Sequence, residues 1–296
     1  MQSFALATLV LAAFGAAAPT KRAAAITDTT VLNFALTLEH LENAFYAGAL
    51  AKYSEADFAA AGLPSQARGR FTEVAAHEAA HVAFLSKALG KDATQPCTYS
   101  FPYTSPASFA ALSQTLEGVG VSAYTGAAQY ISSKAYLTAA ASVLSTEARH
   151  ASYVASAVNN VAGWSGPFDV ALGLDSVYSL AAQFITSCPS SNPTLPVKAF
   201  PKLAFPASAA PGASVALTFD VPSGMNAEDL FAAFYTGTGT EYAKISSSKQ
   251  VTIPADLRGT VYTVITTNGT ASADANTVAG VAILEFEFDP NGNLIA

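Results

Sequence analysis

The chain has 296 residues, with 14 Lys+Arg against 21 Asp+Glu and a formal net charge of −7. Only 12% of its residues are charged, against about 25% in an ordinary soluble domain, while 51% are hydrophobic and the mean hydropathy is +0.32. Much of that apolar content is Ala, and beyond the N-terminus no stretch of about 18 residues lacks polar side chains, which excludes a polytopic membrane protein. The negative balance and the lack of a Lys/Arg cluster exclude a nucleic-acid binder, which needs a basic footprint.

The first feature along the chain is an apolar run from Phe4 to Phe14, followed by the small residues Gly15 to Ala18. It is too short to span a bilayer and reads as a cleaved secretory signal, although no base precedes it. Lys21-Arg22 then reads as a dibasic processing site, so residues 1–22 are expected to be removed and the mature chain to begin near Ala23. That chain keeps 12 bases against 21 acids, a charge of −9. The expected location is secreted, extracellular or in the cell wall. Two cysteines, Cys97 and Cys188, fit an oxidising compartment, where one disulfide is the only internal pairing; two buried free thiols are the alternative. Asn268-Gly269-Thr270 is a glycosylation sequon and also suits a type I′ hairpin turn.

Residues 23–188 are Ala-rich with helical periodicity, and predict four long helices over about 28–51, 66–89, 105–131 and 135–161. Ser105-Pro106 suits the start of the third helix as N-cap and first-turn proline. A fifth helix is expected over about 168–186. About three residues join the third and fourth helices, which makes them antiparallel neighbours, whereas about 15 separate the second from the third. That longer segment can run the length of a helix, so two antiparallel hairpins joined by a crossover are expected. Residues 189–212 hold six prolines and read as a stiff linker. Over 213–296, apolar residues alternate at Val215, Leu217, Phe219 and Val221, and again at Ala282, Leu284, Phe286 and Phe288, which predicts a small β-sandwich. The predicted class is α+β, multidomain.

Each long helix carries acids or histidines on an otherwise apolar stretch. The first reads Glu39-His40-Leu41-Glu42 with Tyr46 following; the second has Glu73, His77, Glu78 and His81; the third has Glu117 and Tyr124; the fourth has Glu147 and His150. Glu78/His81 and Glu147/His150 are both Glu-x-x-His, a spacing that sets two side chains on one face within reach of one ion. Glu39/Tyr46 and Glu117/Tyr124 are both seven apart, two turns on one face. The two hairpins therefore repeat each other.

This pattern resembles the ferritin-like di-metal carboxylate superfamily, in which two helices give one Glu each and two give Glu-x-x-His. The run from Leu38 to Tyr46 and the run Glu147-Ala148-Arg149-His150-Ala151 are similar to the secreted fungal branch, which includes late-sexual-development and stress-response proteins and resembles plant desiccation-related proteins. The resemblance covers about 27–187. It implies a ferritin-like four-helix bundle whose metal ligands are Glu39, Glu78, His81, Glu117, Glu147 and His150, with Glu78 and Glu147 bridging. Tyr46 and Tyr124 would hydrogen-bond to ligands and take part in redox chemistry. Four carboxylates offset the charge of two divalent ions and imidazoles complete the shells, a mix that suits iron or manganese and also accepts zinc. The expected partners are metal ions and peroxide or O₂, with an oxidase, peroxidase or catalase-type oxidoreductase as the candidate activity.

Other readings compete. His77-Glu78-x-x-His81 matches the zinc-protease motif, but Phe84 and Lys87 stand where its extended form needs Gly and His, and Glu147-x-x-His150 would go unexplained. His40, Glu42 and Glu73 read as surface or satisfied core polar groups, although Glu42, one turn from Glu39, could join or replace it; His77 reads as a surface residue or a neighbour of the ligands. A non-enzymatic wall or matrix protein, with the bundle as scaffold and the β-domain binding polysaccharide, is the alternative function.

Overall fold

A computed structural model describes residues 26–295, so the segment read as signal and processing site lies outside the described residues. Six α-helices are present among them: α1 Asp28–Lys52, α2 Glu55–Ala60, α3 Ala67–Leu89, α4 Pro106–Ala127, α5 Lys134–Tyr153 and α6 Leu174–Ala181. Three of the four long helices, α1, α4 and α5, start at a side-chain cap. Thr27 caps α1 by accepting the Thr30 N–H, and Asp28 and Lys52 lie at the ends that the helix dipole favours. Ser105 caps α4 in a reciprocal box with Ser108, ahead of Pro106.

α1 is buried on almost every side, between α3 and α4. The crossover from α3 to α4 is pinned to it: the Thr94 N–H donates to Asn33 Oδ1 at 2.8 Å, and the Thr94 carbonyl lies 3.2 Å from His40 Nε2. His40 is thus a satisfied core group. Within the crossover, β1 (Thr98–Tyr99) pairs antiparallel with β2 (Ile185–Ser187), and the Cys97–Cys188 disulfide closes the same end. Below mid-bundle Phe45, Tyr46, Phe58, Phe71 and Phe109 form an aromatic cluster, with Phe45 stacked on Phe109 at 4.8 Å between centroids. Burying each such ring contributes roughly 1.5–3 kcal/mol.

Three local expectations are corrected. The predicted fourth helix gives way after Tyr153 to a π turn over Val154–Val158, and the predicted fifth helix shrinks to α6. Residues 163–173 stay irregular because Gly163, Gly166, Pro167 and Gly173 break it. Gly173 cannot cap α6 with a side chain of its own; Asp274, from far along the chain, accepts the Asp175 N–H and the Ser176 hydroxyl instead. Asn268-Gly269 is no two-residue hairpin turn. It lies in the longer connection from Thr266 to Thr277, where Asn268 Oδ1 accepts the N–H groups of Thr270 and Ala271.

The C-terminal region holds two antiparallel sheets. One is four-stranded, in the order β5 (Gly239–Lys244), β4 (Phe231–Thr236), β7 (Gly259–Thr266), β8 (Thr277–Phe286); the other pairs β3 (Ser214–Ala216) with β6 (Gln250–Thr252). The alternation predicted to run as far as Val221 forms a strand only in β3, because its partner is three residues long, yet Val215, Leu217 and Phe219 all remain buried. The larger sheet is covered on both faces. Ala232, Phe234, Val261 and Ile265 face the core shared with β3 and β6, while Ala233, Tyr262, Val264 and Val281 join the core of the helical bundle. The Pro-rich segment is docked rather than free. The Phe200 N–H donates to Ser179 Oγ, the Lys198 N–H to Asp175, and the Gly280 N–H to the Pro201 carbonyl.

Candidate metal centre

Mid-bundle, the four long helices bring their acids to one place. Glu39 (α1), Glu78 (α3), Glu117 (α4) and Glu147 (α5) are completely buried, and His81 and His150 lie one turn beyond their helix partners. Ligand atoms of Glu39, Glu78, His81 and Glu147 lie within 4.8 Å of one another, as do those of Glu78, Glu117, Glu147 and His150. That is close to the roughly 4.2 Å breadth of an oxygen and nitrogen shell around one ion. Glu78 and Glu147 belong to both groups.

The donor set fits metal. His150 Nδ1 lies 3.2 Å from Glu78 Oε1, 3.4 Å from Glu117 Oε2 and 3.5 Å from Glu147 Oε2, and His81 Nδ1 lies 3.0 Å from Glu147 Oε1. Despite these distances Glu78 Oε1, Glu117 Oε2, both Glu147 oxygens and His150 Nδ1 form no hydrogen bond. Buried polar atoms are normally paired; these instead stand crowded together without hydrogen bonds, a donor set that a metal ion would satisfy. Burial of this many carboxylates has an electrostatic signature. It raises Glu39 to about 8 and lifts Glu117 well above the usual carboxylate range, with the neighbouring glutamates adding to both. Burial opposes the charge on His81 and His150, but the surrounding carboxylates outweigh it and push both up to about 12. Glu147 is held down to about 2 because the two imidazoles overcome its burial.

The tyrosines cross-brace the site. Tyr46, two turns beyond Glu39, donates to Glu117 Oε1 and lies 2.7 Å from Ser113 Oγ; Tyr124, two turns beyond Glu117, donates to Glu39 Oε1. Burial, then the charge of the adjacent glutamate, raises both phenols well above their usual range, so they remain donors. Each repeat of the Glu…Tyr pair thus orients the other's carboxylate. Ser113 was not singled out from sequence, although it lies one turn before Glu117 on the same face.

Three other residues find their places. Glu73 pairs with Arg70 at the surface at 2.6 Å. His77 is not part of either donor group, but its ring stacks on His150 at 5.2 Å and its Nδ1 lies 2.9 Å from His150 Nε2. Both imidazoles face a groove of about 600 Å³ between α3 and α5, with Arg70 and Arg149 at its sides. Glu42 is buried and belongs to neither donor group; burial, then the neighbouring glutamates, lift its carboxyl well above the usual range.

Comparison with known proteins agrees with this geometry. Residues 27–160 match the family described as ferritin-like domain. The chain is also 27% identical over 176 residues to Protein rds1 of Schizosaccharomyces pombe, a stretch covering 60% of this chain and 44% of that protein's length. Among the described residues no helix is long and apolar enough to cross a membrane. The helical half of this chain, residues 27–160, is a ferritin-like domain.

Proposed function

We propose that the protein is secreted and binds two redox-active metal ions, iron or manganese, acting on peroxide, O₂ or metal in stress protection or sexual development. The observation that supports this best is the pair of four-donor groups sharing Glu78 and Glu147. Glu39 and His81 would hold one ion, Glu117 and His150 the other, and the shared glutamates both. Four carboxylates match the charge of two divalent ions, and such a pair supplies electron-transfer chemistry when bound. Tyr124 and Tyr46 fix the orientation of Glu39 and Glu117 through their hydrogen bonds. The groove flanked by Arg70 and Arg149 admits small polar molecules to the imidazole side.

Mass spectrometry after anaerobic reconstitution is expected to find about two Fe or Mn per chain, and fewer than about one Fe, Mn or Zn refutes the reading. Glu147→Ala with His150→Ala is expected to abolish the metal. Peroxide turnover by the loaded protein separates an oxidoreductase from a binding protein. Secretion is checked on the exported chain, by an N-terminus at Ala23 and a glycosidase-sensitive mass at the exposed Asn268. The second reading, a wall or matrix protein, is favoured by Trp164 and Phe168, which are 68% and 66% exposed in the loop between α5 and α6. Retention of the full chain on insoluble wall polysaccharide, lost in Trp164→Ala, supports that reading.

A further inference from the structure

Between the helical bundle and the larger sheet lies a second cavity, of about 370 Å³, on a different side of the metal centre from the α3/α5 groove. Its walls are apolar: Leu41 of α1, Leu116 and Val119 of α4, Leu180 of α6, and Val281 and Ile283 of β8. The sheet supplies a wall that the bundle alone lacks. Gln183 and Ala204, both exposed, stand at the mouth.

One charged side chain lines this cavity, the 5% exposed Glu42. Its carboxyl takes no part in the hydrogen bonds that tie Glu39, Glu78 and Glu117 to tyrosines and histidines. Such a group is costly to bury without a partner, and the lining around it is mostly apolar. The missing side chain at Gly120 leaves room beside it: a Cβ there would stand 3.1 Å from Glu42 Oε1 and 3.9 Å from Glu147 Oε2, so the cavity carboxyl and the candidate metal ligand Glu147 border the same bare position on α4. An apolar pocket of this size with one placed polar group is the usual form of a small-molecule site.

We propose that this cavity binds a small, largely apolar molecule bearing one hydroxyl group, phenol or alcohol, with the hydroxyl hydrogen-bonded to the Glu42 carboxyl and the body of the molecule between α6 and β8. A hydroxyl both donates and accepts, so it pairs with Glu42 whether that carboxyl is protonated or ionised. Binding of this kind does not depend on metal. If the metal reading also holds, the bound hydroxyl lies close to Glu147, which borders the same bare position at Gly120.

The test is calorimetric titration of the full chain, metal-free and metal-loaded, with 1-naphthol, naphthalene and 1-naphthylmethylamine. We expect 1-naphthol to bind about tenfold more tightly than naphthalene, the worth of one buried hydrogen bond, in both forms of the protein. Glu42→Leu is expected to bring the two affinities within about twofold by removing that bond. Because Glu42→Leu can disturb packing, Ala204→Trp, at an exposed position, serves as the second variant and should weaken both ligands while leaving the helical circular dichroism and metal content unchanged. Absence of 1-naphthol binding, equal wild-type affinities for 1-naphthol and naphthalene, tighter binding of the amine, or indifference to Ala204→Trp each overturns the proposal. Loss of metal binding with 1-naphthol binding intact refutes the metal reading alone.

Discussion

Sharing of Glu78 and Glu147 makes a graded prediction that no single-site pocket would make. Replacing each glutamate by glutamine keeps its volume, so no cavity opens, and removes one ligand charge. Glu39 belongs to one donor group only and Glu117 to the other, whereas Glu147 belongs to both. Glu39→Gln and Glu117→Gln should therefore each lower the metal content from about two ions per chain to about one, and Glu147→Gln should lower it to nearly none. The same grading should appear in thermal stability. At a free metal concentration 100 times Kd, one ion adds about 2.7 kcal/mol, which raises Tm by roughly 5–11 °C at about 2–4 °C per kcal/mol for a protein of this size. The wild type should gain about twice that on adding Mn(II), the single-group variants about that amount, and Glu147→Gln little. Measuring the metal-induced rise, rather than Tm itself, separates ligand loss from any change in the metal-free fold. Equal losses in all three variants, or two ions retained by Glu147→Gln, would refute the reasoning.

Three further outcomes are expected. The Tm increment produced by Mn(II) should grow from pH 5 to pH 8: Glu39 is raised from 4.5 to about 8, so the metal-free fold holds protons the unfolded chain has released and loses stability across that window, while metal replaces those protons. Glu147, depressed to about 2, acts only below about pH 4.5, and a flat or falling increment contradicts this account. Tyr124→Phe and Tyr46→Phe should each weaken metal binding about 10–100-fold by freeing Glu39 and Glu117, at a stability cost of about 1–3 kcal/mol, as read by metal titration and denaturant unfolding. Cys97→Ser with Cys188→Ser opens a loop closed over 91 residues, and chain entropy sets an upper bound of about 4–5 kcal/mol, or roughly 10–20 °C in Tm by calorimetry.

Legibility from sequence followed the range of the interactions concerned. Glu78/His81 and Glu147/His150 sit three residues apart, and an α-helix turns any such spacing into a shared face, so both pairs could be read directly. The cap at Ser105 is equally local. α6 was overextended because its N-terminal cap, Asp274, lies 99 residues from the Asp175 it holds, and no local pattern announces it. Asn268-Gly269 misled for the converse reason: a dipeptide favours a tight turn, but Asn268 uses its side chain to stabilise a wider loop.

The sequence by itself determined the four long helices, the residue types of the candidate centre and the repeat that relates its two halves, because period and spacing within a helix are set by backbone geometry. Tertiary structure alone decided how those halves meet. Tyr46 braces Glu117 and Tyr124 braces Glu39, across helices rather than along them. Glu42, only one turn from Glu39, lines an apolar cavity, while Glu39 joins a donor group. The sheet that walls this cavity alternates apolar residues on both faces, and one strand's pattern cannot say which face meets the bundle. Each of these is a contact between segments far apart in the chain, set by packing and burial rather than by any property of the local segment.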